Sequence, residues 1–576
     1  MKKYCRISPR KLGVLSFLNF IGAMLTVALA VMIQNTVDGA QQGDGRQLQV
    51  ILAGTLLLGL LYFTSNYLKN YYTQKVSDDY VRNLRNELYE KILRRNYGDF
   101  RKQAMTSYLS LLTNDVNMYQ EGTVKSKLLI LQNGISLCVI TAALLYIHPG
   151  LTLLIALLSL GIYFFPRLMG KKLSQLQLKV SHLLSALTEY GESHLEGFYV
   201  LYTYGCQAKS LEGFQQMNQS YNLEKIRLDG AMGGSEALSG TLSVLSELMV
   251  MLAAAALVLA GHMTGGTMVA IMQLTGQFVM PLMAIMQNIP RIEGGKGLEK
   301  RFLEILEYQQ QEGGQQISNA QERGAYEISP QESREPERTK RELRHPQPVF
   351  SKNILLNNLR FSYQEGREVL RGISFTLEKN KKYVLIGKSG CGKSTLLNVL
   401  NGIYNTYEGE IKIDGEDRKN WQNEDYVNLF ATVGQNVFLF PGTLEENIVL
   451  MEEEKDEERL AYALEVSGTK DILAGLEEGI HTRIRDNGAN LSGGQKQKIA
   501  LARAIYHRKP VLLLDEGTSA IDKKTGAEIE SRLLKEKNIT LLTITHDIHS
   551  GLLEKYDQIL YLDKGQLNPV ISETMY

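Results

Sequence analysis

The hydrophobic and polar positions of this chain are segregated rather than interleaved. Six apolar stretches in the amino-terminal half approach the ~20 residues that a helix needs to cross a hydrocarbon core. They cover Leu12–Ile33, Leu48–Leu68, Leu128–Ile147, a run from Leu151 that ends near Pro166 and Arg167, Ala237–Ala260 and Met268–Ile289. A soluble helical protein would interrupt such runs with charges every turn, so the pattern predicts six membrane spans. The segment Met1–Lys11 and the run after it have the form of a signal sequence. That run is longer than a signal core, however, and five more stretches follow it.

Lys and Arg set the expected orientation. Lys2, Lys3, Arg6, Arg10 and Lys11 precede the first stretch, and eleven more basic residues lie between the second and third. Six follow Arg167 before the fifth stretch, whereas His148–Gly150 and Gly261–Thr267 hold no Lys or Arg. The basic loops and both chain ends are therefore expected in the cytoplasm. Val81, Leu84, Leu88 and Ile92 recur at helical spacing with charges between them, which predicts membrane helices that continue beyond the bilayer.

From Gln309 to Pro348 the composition turns to Gln, Glu, Gly, Ser, Pro and Arg, a flexible linker without a core of its own. Short β-rich runs then alternate with helical segments: Leu359–Tyr363, Ile373–Leu377, Val384–Ile386, Ile411–Ile413, Val511–Leu514, Thr540–Thr545 and Gln558–Leu562. This alternation predicts a layered α/β domain. Lys and Arg (63) balance Asp and Glu (62), so no polyanion-binding surface covers the molecule and no nucleic-acid partner is expected. The four cysteines, Cys5, Cys138, Cys206 and Cys391, lie far apart, which excludes a disulfide scaffold or a CxxC-type zinc site.

Chemistry enters after the strand Tyr383–Ile386. Gly387-Lys388-Ser389-Gly390-Cys391-Gly392-Lys393-Ser394, then Thr395–Leu400, satisfies G-x-x-x-x-G-K-[ST] in a strand–loop–helix context. Backbone N–H groups turn inward around a phosphate, and the helix points its positive end at the same spot. Lys393 supplies a charge for the β/γ-phosphates and Ser394 a hydroxyl for Mg²⁺. Val511–Leu514 reads as a buried strand ending in Asp515 and Glu516, placed to hold the Mg²⁺ shell and to orient or deprotonate the attacking water. Leu491-Ser492-Gly493-Gly494-Gln495 opens a further helix and so forms a second anion-binding end. Two such ends on one chain suit two copies clamping nucleotide between them.

With these motifs in order, the sequence resembles the ATP-binding cassette (ABC) transporters, whose signature is LSGGQ. The resemblance implies roles for further residues. Tyr363 matches the aromatic that stacks on adenine, and Gln435 the glutamine linking Mg²⁺ to the membrane part. Ser519–Asp522 matches the loop crossing the dimer interface, and His546 the γ-phosphate switch. More weakly, Leu111–Val116, Glu196-Gly197 and Tyr204-Gly205 match stretches of the family's cytoplasmic loops. Gly517 stands where the family usually has alanine, and Arg485 where it has glycine, with Asp486 as the nearest acid.

The implied fold is an α membrane domain of six transmembrane helices of the exporter type (1–308), the linker (309–348), and an α/β P-loop NTPase domain with a helical subdomain (349–576). The implied function is an ATP-hydrolysing half-transporter with ATP and Mg²⁺, moving a drug, lipid or peptide across the cytoplasmic membrane as a homodimer or heterodimer. An importer of similar architecture taking up a metal chelate, or a regulatory module, would share the same motifs. As the chain starts at the first span, a leader-cleaving peptide exporter is not expected. Glu247, inside the fifth stretch, and Gln273, Gln277 and Gln287, along the sixth with Pro281, are candidate pathway residues. A cationic or amphipathic cargo would suit Glu247.

Overall fold

The computed structural model describes residues 7–42, 45–308, 350–363, 366–421, 423–485, 487–545 and 552–568. They form two compact units. The first holds the described residues through Arg95 and again from Gln103 to Tyr308, and the second holds Asn96–Lys102 and those from Phe350 onward. The linker, Asp486 and His546 lie outside the described residues.

Six long helices carry the six apolar stretches of the first unit: α1 (Pro9–Gln42), α2 (Gly45–Leu93), α3 (Lys125–Ile147), α4 (Pro149–Glu196), α5 (Gln207–Leu259) and α6 (Gly265–Gly294). The helices carrying the first, third, fifth and sixth stretches are long and apolar enough to cross a membrane. α5, with 53 residues, is about 80 Å long, far beyond a ~30 Å hydrocarbon core. Its first half is therefore the charged extension that the loop periodicity predicted, as are the second halves of α2 and α4.

Ile140 and Leu144 of α3, Ile155 of α4, Val250 and Ala254 of α5, and Ile271 and Leu274 of α6 share one apolar core. Leu56, Leu57, Leu60 and Phe63 of α2 stay exposed, as lipid-facing side chains do. In the extensions, buried charges are paired. Glu224 accepts from Lys179 and Arg227, each at 2.7 Å, and Asp115 accepts from Arg301 at 2.7 Å. Two π-turns, Leu111–Asp115 and Gln120–Val124, interrupt the helix leading into α3.

The second unit contains two main sheets. The antiparallel one joins β1 (Asn353–Ser362), β2 (Glu368–Glu378) and β4 (Glu408–Ile413), with β1 central. The other has the order β9 (Gln566–Asn568), β8 (Gln558–Asp563), β3 (Lys382–Ile386), β7 (Thr540–Ile544), β6 (Val511–Asp515), β5 (Phe430–Val433). All its neighbours are parallel except the β8–β9 hairpin.

The strands of that sheet read Tyr-Val-Leu-Ile, Val-Leu-Leu-Leu and Thr-Leu-Leu-Thr-Ile because both faces are covered. One face meets the first sheet through Leu385, Leu513 and Leu542. The other meets the helices Leu444–Val449, Glu457–Val466 and Gly493–Tyr506 through Val384, Leu512, Leu514 and Leu541. Parallel strands bring the carboxyl ends of β3, β5, β6 and β7 to one edge, where ligands sit in open α/β sheets. The short helix Tyr97–Phe100 belongs to this unit. Asn423 Nδ2 donates to Asn96 Oδ1 at 3.1 Å, and Gly98 lies so near the Ile403 carbonyl that a Cβ would be 2.9 Å away.

Candidate functional site

At that edge lies a cavity of about 660 Å³. Ser389, Gly390, Gly392, Lys393, Ser394 and Thr395 form one side of it; Tyr363, Arg367 and Val369 form the second and Gln435 and Glu516 the third. The loop after β3 has the shape its glycines permit. Gly390 (φ 77°) and Gly392 (φ 109°) are left-handed, a region that side chains rarely enter. A Cβ on Gly387 would sit 2.3 Å from the Leu562 carbonyl oxygen. Gly392 caps the helix Lys393–Leu400, whose amino end therefore faces the loop.

Lys393 is buried. Its Nζ donates to the carbonyls of Gly387 (2.7 Å) and Lys388 (3.0 Å), with Cys391 Sγ at 4.0 Å. A cation held, among the described residues, by neutral carbonyls suits a phosphate better than a hydrophobic ligand. Tyr363 is half exposed, its hydroxyl is hydrogen-bonded to Thr395 Oγ1 at 2.9 Å, and its ring meets Tyr404 edge-on at 5.5 Å.

Glu516 follows β6 with φ 53°, a costly conformation for a residue with a Cβ. Three hydrogen bonds hold its backbone there. Its N–H donates to the Ile544 carbonyl at 3.1 Å, while its carbonyl accepts from Ser519 N at 3.0 Å and from Gln497 Nε2 at 3.2 Å. The Glu516 carboxylate accepts from Gln435 Nε2 at 3.1 Å. Asp515 ends β6 beside Ile544 without lining the cavity.

Among the described residues no group of three or more His, Cys, Asp or Glu is placed to hold a metal. Of the residues expected to hold Mg²⁺, which accepts few protein ligands and keeps water or phosphate oxygens, Ser394 and Gln435 line the cavity with a hydroxyl and an amide, and Asp515 stands at the end of β6 outside it.

Ser492, Gly493, Gly494 and Gln495 do not line the cavity. They form a capping box at the start of the helix Gly493–Tyr506. Gln495 N donates to Ser492 Oγ at 3.2 Å, and Ser492 N donates to Gln495 Oε1 at 2.8 Å. Gly494 admits the following loop, since a Cβ there would lie 2.8 Å from the Ala520 carbonyl. Asp522 caps the next helix, Lys523–Lys535, by accepting from Thr525 N at 3.0 Å. That bond holds its carboxyl below the ordinary value.

Sequence reasoning passed over Gln497. Nearly inaccessible, it donates to Glu516 O and to Ser519 Oγ (3.3 Å) and accepts from Ala520 N (2.9 Å). A glutamine on the buried face of the helix that carries Ile499 and Leu501 was the available signal. Arg367 and Val369, which line the cavity, carried none.

A phosphate-cradling loop and a glutamate at a sheet edge, on a chain whose other unit is built of membrane-length helices, define a nucleotide-driven membrane protein. The ABC transporter transmembrane region matches residues 12–282 and the ABC transporter domain residues 370–519, and the chain belongs to the ABC transporters. It is an ATPase coupled to transmembrane transport, with a membrane domain and a nucleotide domain fused on one chain.

Similar proteins include the ATP-dependent lipid A-core flippases of Haemophilus ducreyi and Pseudomonas fluorescens. The first is 27% identical, over 95% of this chain and 90% of the relative. The second is 28% identical, over 97% and 90%. A solved bacterial Atm1-family ABC exporter with ATP bound shares the fold, with a TM-score of 0.77 at 21% identity over 97% of this chain and 94% of that one.

Proposed function

We propose that this chain works in pairs as an ATP-driven exporter that moves an amphiphilic molecule across the cytoplasmic membrane. What carries this conclusion is the division of the nucleotide chemistry. The cavity offers a P-loop, Tyr363, Gln435 and Glu516, while the Ser492 helix end of the same domain stands apart from it. A second copy brings its own Ser492 end to close the cavity over ATP, so that each ATP lies between one chain's P-loop and the other's LSGGQ.

Within each cavity Tyr363 stacks on the base, and the loop N–H groups with Lys393 hold the phosphates. Mg²⁺ neutralises phosphate charge when bound, held by Ser394, Gln435 and Asp515. Glu516 orients a water for attack and takes its proton, with Gln435 keeping its carboxylate in place. His546 senses the γ-phosphate. Closing of the pair turns the membrane helices outward and hydrolysis resets them. A swing from 1:99 to 99:1 needs about 5.5 kcal/mol of differential binding, within reach of two nucleotide sites. The flippase names of the relatives support a lipid-like cargo over a peptide.

Glu516→Gln tests the scheme. It should leave ATP binding intact, hold the pair closed and lower hydrolysis on the order of 10²-fold. ATP turnover at the unaltered rate would remove Glu516 from the mechanism.

A further inference from the structure

We infer that the amphiphile carries a positive charge at its polar end and that Glu247 is the group that recognises it; this rests on the exporter function proposed above. Across all six apolar stretches Glu247 is the single Asp, Glu, Lys, Arg or His. It lies near the middle of Ala237–Ala260, about 15–20 Å from either end at 1.5 Å per residue, hence near the midplane of a ~30 Å hydrocarbon layer. An ionisable group at that depth is costly, and such groups face a bundle interior or a water-filled cavity.

The surroundings of Glu247 agree. It is half buried, and α6 presents Gly276 to it, where a Cβ would stand 3.6 Å from Glu247 Oε1. Gln273, one turn before Gly276, is exposed, and Gln277 beside it is half buried, whereas Leu274 and Phe278 point into the core. Glu247, Gly276 and the two glutamines thus form a polar strip that is not sealed in the apolar core.

Among the described residues no cation answers the carboxylate. Among the described residues it makes no ion pair or hydrogen bond. The nearest basic residue along the neighbouring helix is Arg167. The antiparallel α4–α5 register, set by Lys179 against Glu224 and Tyr190 against Gly213, puts Glu247 level with about Ala156. From there Arg167 is roughly 16 Å away along α4. The other Lys and Arg residues of this unit belong to the extensions and connecting loops.

A lone midplane carboxylate in a low-dielectric setting attracts an ammonium or amidinium head and repels a phosphate. The glutamine amides then supply neutral hydrogen bonds that fix the head's orientation.

The test uses the full-length chain in proteoliposomes and three amphiphiles with one tail: hexadecyltrimethylammonium, hexadecyl phosphate and hexadecyl maltoside. Stimulation of ATPase is titrated with each below its micelle concentration. The ammonium should act at a half-maximal concentration at least about tenfold below that of the phosphate. Glu247→Gln should raise the ammonium value about tenfold or more and leave the maltoside value in place, while Glu247→Asp retains most of the preference. Unfolding temperatures equal to the parent protein's show that the variants fold.

Equal action of ammonium and phosphate, identical titrations in the parent and Glu247→Gln proteins, or no response to any of the three overturns the assignment. Glu516→Gln separates the two levels. If it abolishes hydrolysis while the three amphiphiles act alike, charge recognition fails and the exporter stands; if it hydrolyses ATP normally, the exporter itself fails.

Discussion

Replacing Gln497 by Met keeps the volume of the side chain and deletes its polar atoms. Lost with them are the bonds to the Glu516 carbonyl, Ser519 Oγ and Ala520 N, at 3.2, 3.3 and 2.9 Å. A net ~0.5–1.5 kcal/mol for each, with partners left dry in a site that is 2% exposed, gives about 2–4 kcal/mol. A domain of this size loses roughly 2–4 °C in unfolding temperature per kcal/mol, so a drop of about 5–15 °C is expected with folding retained.

The catalytic consequence is separable from that loss. Gln497 is one of the ties that hold Glu516 at φ 53°, and a shift of ~1 Å in such a group costs on the order of 10²-fold in rate. ATP contacts in the P-loop are untouched. The turnover number should therefore fall about 10²-fold while the dissociation constant for ATP, measured with a fluorescent analogue, stays within about twofold. Parental turnover in Gln497→Met, at a temperature where it is folded, would refute the idea that Gln497 positions Glu516.

Three further outcomes follow from local geometry. Gly494→Ala pushes a Cβ against the Ala520 carbonyl at 2.8 Å and should cost about 1–3 kcal/mol and most ATPase activity; Gly517→Ala meets only Leu514 and Val433 side chains at 3.4 Å and should change stability by less than about 0.5 kcal/mol. Calorimetry and ATPase rates on the two variants check this.

Asp414 accepts from Ser351 N, Ser351 Oγ, Lys352 N and Asn353 N at 2.6–2.8 Å. Burial pushes its carboxyl up, but these bonds outweigh it and leave the value depressed. The stability it adds over Asp414→Asn, about 1 kcal/mol after screening, should be complete above the ordinary carboxylate value near pH 4 and vanish as pH falls through the lower folded value. Urea titrations of both proteins between pH 3 and 7 would expose a difference of the opposite trend.

Gly98→Val should loosen the Asn96–Lys102 segment from Ile403, against which even a Cβ stands at 2.9 Å. Faster proteolysis at Lys102 is the readout, and unaltered cleavage would count against that contact.

How much of this was legible depends on which force wrote each feature. The six apolar stretches stand out because a bilayer admits no charge, so composition alone marks them. Seven strands were visible as β-branched and leucine runs, with ends displaced by a few residues where polar edge positions continue the ladder. Leu359–Tyr363, for example, is the end of Asn353–Ser362. β5 escaped notice because Phe430-Ala431-Thr432-Val433 is too short to show a period. The P-loop and Glu516 were readable because backbone conformation and charge are tied there to particular residue types. Gln497 was not, since its role arises from three partners at least 19 positions away in sequence. The loop between the second and third apolar stretches was legible only in part. Leu111–Val116 drew attention, while Asn96–Lys102, with Gly98 between Tyr97 and Phe100, is the part that packs in the nucleotide-binding unit.

The sharing of each ATP by two chains is tested most directly by complementation. Lys393→Ala disables a chain's P-loop and Ser492→Arg its signature helix end, so homodimers of either variant should lack ATPase activity. Mixed dimers, isolated through two different affinity tags, contain one seam in which both elements are intact. Their ATPase should reappear, with one ADP trapped per dimer by vanadate. Mixed dimers as silent as either parent, or a purified monomer that hydrolyses ATP at full rate with Ser492→Arg in place, would contradict a shared seam.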